Sequence, residues 1–183
     1  MMGLDMYLTK KTYVKNWTHM EPEELHTITI TGPLSNSIRP ERITFIEEDI
    51  AYWRKANAIH AWFVNNCADG VDDCQPVYVS RDNLQKLLGV VNQVLNDVKL
   101  IDGELHAGTR WSGGIKEELY EPGKVIANPQ VCYDLLPTQS GFFFGGTDYD
   151  EWYIKDLKYT RDIITQILHE DVGSGTIYYE ASW

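Results

Sequence analysis

The sequence predicts an α+β fold, in which a mainly antiparallel sheet packs against about three helices in a single domain. Strand-like and helix-like segments both occur, but they do not alternate as the regular βαβ units that build a parallel sheet. The 183 residues suit one domain covering residues 1–183, and such a chain can bury a core without disulfide or metal crosslinks. Hydrophobic residues make up 43% of the chain and charged residues 23%, which is typical of a globular protein.

Two strands are predicted in the N-terminal part of the chain. Residues 2–14 alternate loosely and are rich in Tyr, Thr, Leu and Val, which is typical of a strand. Residues 25–31 place their side chains strictly on two alternate faces, so we expect a half-buried strand that ends at Gly32. Residues 42–46 could form a third strand or lead into a helix.

Apolar residues at helical spacing predict two helices in the first half of the chain. One covers residues 47–66, and its first turn is acidic, which suits the positive end of the helix dipole. The other covers about residues 81–98, with a wide apolar stripe and with Ser80 as its N-cap. Between them, residues 77–79 could form a very short strand.

A third helix is predicted near the C-terminus. We expect Asp148 to cap its N-terminus, Trp152 to belong to its apolar face, and Gly173 and Gly175 to end it. Residues 176–183 are then expected to form the last strand.

Two glycine-containing stretches precede that helix. Residues 99–123 contain Asp-Gly, Gly-Gly and Pro-Gly dipeptides, which predict an irregular surface excursion that could include a short hairpin. Residues 135–146 hold three consecutive Phe residues between Gly141 and Gly145, which predicts a strand bounded by turns.

The net charge of −11 limits the classes of function. Residues 1–46 sum to zero charge, so residues 47–183 carry all of it. We favour the interpretation that this charge keeps the protein soluble. The alternative is a protein that mimics DNA, although the acidic runs are short. Because nonspecific DNA binding needs a basic face, we expect no direct nucleic-acid binding.

The cysteines and the apolar runs predict a cytoplasmic protein that does not enter a membrane. Three cysteines without a CxxC pair argue against a disulfide framework and favour a reducing compartment. No apolar run approaches the length of a membrane span, and the N-terminus has no apolar signal segment. Cys67 and Cys74 have a spacing unlike that of familiar zinc sites, and the common catalytic and phosphate-binding motifs are missing from the sequence. We therefore expect no metal and no cofactor, and we assign no catalytic residue.

The first predicted helix carries polar groups on the face that should meet the core. Trp53, Asn57 and His60 fall at i, i+4 and i+7, so they share one face, with Arg54 beside it. Buried polar groups are costly unless they are hydrogen-bonded. Two interpretations compete: Asn57 and His60 could be satisfied by backbone groups of the sheet, or they could line a polar pocket beside Trp53.

A second group of candidate residues precedes and includes the Phe run. Thr138 and Gln139 offer a hydroxyl and an amide in a turn, and Gly141 permits close approach of a backbone. Phe143 could stack on a flat ligand. Such turns can hold anions, but they also simply connect elements.

Four stretches of the sequence resemble a family of small proteins found in phages and prophages. They are residues 2–8, residues 52–63, residues 78–81 and residues 136–145. The resemblance covers most of the chain but not residues 99–123. It implies a setting, that of a phage accessory protein in the cytoplasm of a bacterial host, and it implies no catalytic residue.

The leading functional hypothesis is a protein that binds a small polar ligand without turnover, for example a nucleotide signal of host defence. The expected ligand-binding residues are Trp53, Arg54, Asn57, His60, Thr138, Gln139 and Phe143. One alternative is an acidic protein that binds or inhibits a host protein, as DNA mimics do. Another is a small hydrolase of a phosphorylated small molecule. The sequence leaves open a second copy of the chain as a further partner.

Overall fold

The computed structural model describes residues 3–170 and 175–183. In chain order its elements are β1 (Asp5–Tyr13), β2 (Phe45–Arg54), α1 (Asn57–Cys67), β3 (Val77–Val79), α2 (Arg81–Asp97), β4 (Leu100–Ser112), β5 (Ile115–Ile126), α3 (Gln130–Leu135), α4 (Glu151–His169) and β6 (Thr176–Ser182). All strand pairs are antiparallel. This combination of antiparallel sheets and helices confirms the predicted α+β class.

The main sheet has the strand order β2-β1-β6-β3, so the first and last strands of the chain lie at its centre. Side chains along β6 alternate between buried and half-buried positions, with Ile177 and Tyr179 inside. Met6 and Leu8 of β1 belong to the same buried face. One face of the sheet therefore packs on the helices, as alternation along a half-buried strand requires.

Helix α2 forms as the sequence predicts. Ser80 caps it by accepting a hydrogen bond from the backbone amide of Asn83 at 3.1 Å. Its apolar stripe packs on α4, and the buried residues of the two helices are Leu84, Leu87, Val91, Val94, Leu157, Ile164 and Ile167. Burial of such stripes accounts for most of the stability of amphipathic helices.

The first predicted helix was wrong over its first half, because residues 45–54 form strand β2. This strand pairs with β1 in a register that sets Arg54 opposite Asp5. Trp53 is buried while Tyr52 and Arg54 are exposed. Burial therefore repeats every two residues, as in a strand, rather than every 3.6 residues, as in a helix. Pairing with a central strand outweighs the acidic residues that suggested a helix start. Trp53 therefore does not share a helix face with Asn57 and His60.

The predicted strand at residues 25–31 was also wrong. These residues lie outside the strands of both described sheets and are mostly exposed. Both long edges of β1 are already occupied, by β2 and β6. Alternation alone does not make a strand, which also needs a neighbouring strand to pair with, and residues 25–31 have no such partner in the described sheets. The third strand that residues 42–46 could have formed begins at Phe45, as part of β2.

Residues 99–123 belong to the β4–β5 hairpin. The hairpin that the sequence left open is therefore present, but it is long and regular, so the prediction of an irregular excursion was wrong. The tip is Gly113-Gly114, both with left-handed backbones at φ 58° and 81°, as a type I′ hairpin turn needs. Gly103 and Gly123 lie opposite each other inside the strands. A Cβ on Gly123 would lie 2.4 Å from Cγ of Leu105. Gly103 and Gly123, which suggested turns, instead make room for packing across the hairpin.

The run of three Phe residues is not a strand, which corrects a further prediction. Helix α3 occupies residues 130–135, and the Phe run lies in a loop. Phe142 is 94% exposed, whereas Phe144 is buried. A Cβ on Gly141 would lie 2.5 Å from the Phe144 ring, so the glycine lets that ring fold back into the core.

Helix α4 begins two residues later than the predicted cap implies. Asp150, not Asp148, accepts hydrogen bonds from the amides of Trp152 and Tyr153, at 2.8 and 3.1 Å. Trp152 is 58% exposed, so it does not belong to the apolar face. The helix ends at His169, before Gly175, and Gly173 lies outside the described residues.

A candidate ligand-binding cleft at the start of helix α4

A cleft of about 730 Å³ opens where four segments of the chain meet. Its walls are residues 54–59 at the β2–α1 turn, residues 106–108 of the hairpin, the loop around residues 138–148, and the first two turns of α4. We call this cavity the α4 cleft. Its volume lies within the range of about 300–1,000 Å³ that is usual for small-molecule sites.

The β2–α1 turn is unusually tight. Lys55 has a left-handed backbone with φ 60°, which costs a residue with a Cβ about 1–2 kcal/mol. Ala56, with φ −77° and ψ 67°, is the centre of an inverse γ-turn, closed by the Asn57 amide donating to the Lys55 carbonyl at 2.9 Å. The Lys55 amide donates to the Leu4 carbonyl at 2.8 Å. These hydrogen bonds fix the sharp turn between strand β2 and helix α1 at the edge of the cleft.

The N-terminus of α1 has no side-chain cap. Its N-cap residue is Ala56, whose side chain cannot accept a hydrogen bond. The first amides of a helix have no partner inside the helix, and here Ala58 and Ile59 line the cleft. This end of α1 therefore presents partial positive charge to the cavity.

Three cationic side chains also line the cleft, although the chain as a whole is acidic. Arg54 is 40% exposed, and its Nε lies 3.9 Å from Oδ1 of Asp5, which is a loose ion pair. Lys55 passes beside Gly145, where a Cβ would lie 3.1 Å from Cβ of the lysine. Lys155 belongs to α4, and its Nζ lies 5.1 Å from the ring centroid of Trp152.

Trp152 and Asp156 lie one turn apart on α4, and both line the cleft. Burial raises the pKa of the Asp156 carboxyl to about 7, with Lys155 opposing this effect and Asp150 adding to it. Burial also raises the pKa of Asp150, although the amides that it caps oppose the shift. Asp156 therefore changes its protonation state near neutral pH, a property that is common among functional carboxyl groups.

The hairpin contributes His106, an exposed residue of β4 that contacts Glu118 of β5. Nε2 of His106 lies 2.6 Å from Oε2 of Glu118, and Lys116 Nζ lies 2.5 Å from Oε1. Lys116, then Thr109 and His106, lower the pKa of Glu118 to about 2. These contacts join β5 to β4 beside residues 106–108, which line the cleft.

Asn57 ties the loop at residues 138–146 to the start of α1. Its Nδ2 donates to the carbonyls of Phe144 at 3.1 Å and Gly146 at 2.7 Å. Its Oδ1 accepts from the Gln139 amide at 3.1 Å. The side chain is buried, and each of its polar atoms has a backbone partner. Asn57 thus shapes the floor of the cleft by fixing the loop.

His60 and Trp53 are satisfied inside the core. His60 is 0% exposed, with Nδ1 at 2.8 Å from the Tyr179 hydroxyl and Nε2 at 2.9 Å from Asp72 Oδ2. Trp53 Nε1 donates to the Thr160 hydroxyl at 2.9 Å. Both polar side chains therefore have partners without any ligand.

The residues expected to bind a ligand are only partly brought together. Arg54, Asn57 and Thr138 line the α4 cleft. Within the part of the chain that the structure describes, the other four do not line it: Trp53, His60, Gln139 and Phe143. Thr138 uses its hydroxyl to bond the Thr147 carbonyl at 2.9 Å.

Sequence reasoning missed Trp152, Lys155 and Asp156. Their spacing of i, i+3 and i+4 at the start of a helix was visible in the sequence. An aromatic residue on an amphipathic helix was interpreted as part of the apolar face. An aromatic ring flanked by charged residues at that spacing would have been the signal for an exposed site.

Comparison with protein-family models, with curated proteins and with solved structures found no match for this chain. Across residues 3–170 and 175–183, no three His, Cys, Asp or Glu side chains cluster so as to hold a metal ion. Among the helices in these ranges, none is both long and apolar enough to cross a bilayer.

Proposed function

We propose that this protein binds a small, phosphate-bearing aromatic ligand, such as a nucleotide, in the α4 cleft and does not turn it over. One observation carries the proposal: three cationic side chains, an uncapped helix start and an exposed tryptophan line a single cavity. Anionic groups favour helix N-termini, and flat rings favour indole faces.

The phosphate end of the ligand would lie at the β2–α1 turn. Arg54 offers a planar fork of donors that suits phosphate oxygens, and Lys55 adds a second cation. The start of α1 adds the partial positive charge of the helix dipole at this end of the cleft. The carboxylates of the cleft lie apart from this turn in the sequence, at residues 148–156 of the loop and α4.

The ring of the ligand would lie on Trp152. This side chain keeps 58% of its surface exposed, although the Lys155 ammonium approaches its ring. Stacking of a base on an aromatic side chain contributes about 1–3 kcal/mol. Lys155 would then lie beside the stacked base and meet a phosphate carried by the ribose of the ligand.

The resemblance to phage proteins suggests where such binding would matter. In an infected bacterium, a protein that sequesters a nucleotide signal can blunt host defence without any catalytic step. We propose this role for the chain, and the absence of turnover is the part that distinguishes it from a hydrolase.

The test is calorimetric titration with nucleoside monophosphates and cyclic dinucleotides, followed by chromatography of the recovered ligand. We expect binding with recovery of intact ligand. Trp152→Ala and Lys155→Ala should each weaken binding about tenfold, in line with the loss of one stack or one charge-assisted contact. Gly146→Leu should block the cleft, because a Cβ on Gly146 meets nothing within 4 Å and so points into open space.

Trp111→Ala is the matched control, since Trp111 is 68% exposed and lies near the hairpin tip away from the cleft. It should bind as the unchanged protein does. Recovery of a cleaved nucleotide would support the hydrolase alternative instead. If no nucleotide binds, the proposal fails and a role in binding a host protein becomes the better hypothesis.

A further inference from the structure

Two of the α4 side chains that line the cleft, Trp152 and Asp156, suggest how it would choose among aromatic ligands. Trp152 and Asp156 are separated by four residues in α4, so their Cβ atoms lie about 5–6 Å apart on one face. Both belong to the lining of the cleft. A flat ring that stacks on Trp152 therefore brings its edge within reach of the Asp156 carboxyl.

The Asp156 carboxyl has no hydrogen-bond donor among residues 3–170 and 175–183. Thr160 bonds the backbone carbonyl of Asp156, at 2.7 Å, and not its side chain. Asp150 is different, because two amides at the start of α4 occupy its carboxylate. Among the described residues, Thr12 Oγ1 is the only side-chain polar atom that is both fully buried and without a partner, so the Asp156 oxygens reach water. A ligand with two adjacent N–H groups would replace this water and satisfy both oxygens.

We propose that Asp156 determines the specificity of the α4 cleft, and that the cleft selects ring systems with two adjacent N–H donors, of which guanine is the natural example. This inference rests on the proposed binding of nucleotides. An ionised carboxylate can accept from N1–H and from the exocyclic amino group of guanine together. Adenine presents one donor beside one acceptor, which instead matches a protonated carboxyl or an amide.

The protonation of Asp156 then links this choice to pH. The charged groups that surround it are Lys155 and Asp150 on or next to its own helix, Arg54 and Lys55 across the cleft, Asp148 on the loop and His106 on the hairpin. Hydrogen bonds donated by guanine stabilise the ionised form and lower its pKa. The ratio of affinity for guanine to affinity for adenine should therefore rise as pH increases from 6 to 8. The second ionisation of the phosphate, near pH 6, is common to the two nucleotides and cancels in this ratio.

The experiment is calorimetric titration with guanosine 5′-monophosphate and adenosine 5′-monophosphate at pH 6 and pH 8. At pH 8 the unchanged protein should bind the guanosine nucleotide about tenfold more tightly, as expected for one paired base contact. In Asp156→Asn the amide resembles the protonated carboxyl, so the variant should lose this preference and bind adenosine monophosphate at least as well as before. The ratio of its two affinities should be the same at pH 6 and pH 8.

Asp162→Asn is the matched control, because Asp162 is an exposed carboxylate of α4 outside the cleft. It should keep the preference for guanosine monophosphate. Equal affinity of the unchanged protein for the two nucleotides, or an unaltered preference in Asp156→Asn, would overturn the role of Asp156 while leaving nucleotide binding intact. Failure of both nucleotides to bind at either pH would overturn this inference together with the proposed function. Circular dichroism of each variant would show that it is folded.

Discussion

The polar side chains around the α4 cleft differ in what satisfies their hydrogen bonds. Asn57 is matched by three backbone groups of one loop, and His60 by two side chains of the core. Asp156, by contrast, has no donor from the residues that the structure describes. Single residues therefore either build the cleft, as Asn57 does, or remain available to a ligand, as Asp156 does.

Replacing Asn57 tests its role in holding the loop. Asn57→Ala leaves the carbonyls of Phe144 and Gly146 and the amide of Gln139 without their hydrogen-bond partner. Each buried group that loses its partner costs at most about 1–3 kcal/mol. We expect a loss of about 2–4 kcal/mol in the free energy of unfolding, measured by urea denaturation. Asn65→Ala, an exposed position on the same helix, should change stability by less than about 0.5 kcal/mol. Equal effects of the two changes on stability would argue against the role of Asn57 in holding the loop.

The sequence predicts the interior positions of Asn57 and His60 but not their partners. Spacing along α1 is a local property, and it identifies both as core-facing. Their partners come from residues 72, 139–146 and 179, which only the fold brings close. The same limit explains why Trp53 was grouped with them, since its burial depends on pairing between β1 and β2.

At the scale of elements, glycine was the residue type that predicted secondary structure least reliably. Gly103 and Gly123 suggested turns, yet they face each other within a regular hairpin. Gly113-Gly114, by contrast, forms the tip, where a left-handed backbone is required. A glycine that is needed for space cannot be distinguished in one sequence from a glycine that is needed for its φ angle. Helix α2 was predictable because its cap and its apolar stripe agree.

Gly123 provides a test of this explanation for the hairpin. In Gly123→Ala the new methyl group would lie against Leu105, which is 7% exposed, so the side chain or the strand must move. Overpacking of this kind costs about 1–3 kcal/mol, measured as a lower urea midpoint. Gly89→Ala is the control, because a Cβ there meets nothing within 4 Å and alanine favours the interior of helix α2. That variant should gain about 0.5–1 kcal/mol, and a gain of similar size in Gly123→Ala would contradict the packing argument.

At the scale of the whole molecule, Asp156 links the stability of the fold to pH. The pKa of its carboxyl is about 7 in the folded protein against 3.8 as the ordinary value, so the folded state binds more protons between these pH values. Stability is therefore greatest below the lower value and falls as pH rises through the higher one. A shift of about 3 pKa units corresponds to about 4 kcal/mol as an upper limit, and the partial exposure of Asp156 reduces it.

Asp156→Asn should remove this dependence, because the amide is neutral at every pH. Against the unchanged protein, the stability advantage of the variant should grow by about 1–3 kcal/mol between pH 5 and pH 8. Urea denaturation at the two pH values measures the difference, and taking it between variant and parent cancels the other titrating groups. Asp162→Asn should show no such change. If Asp156→Asn were instead less stable at pH 8, the carboxylate would be ionised and paired in the folded protein. Asp156 would then be a structural ion pair with no capacity left for a ligand.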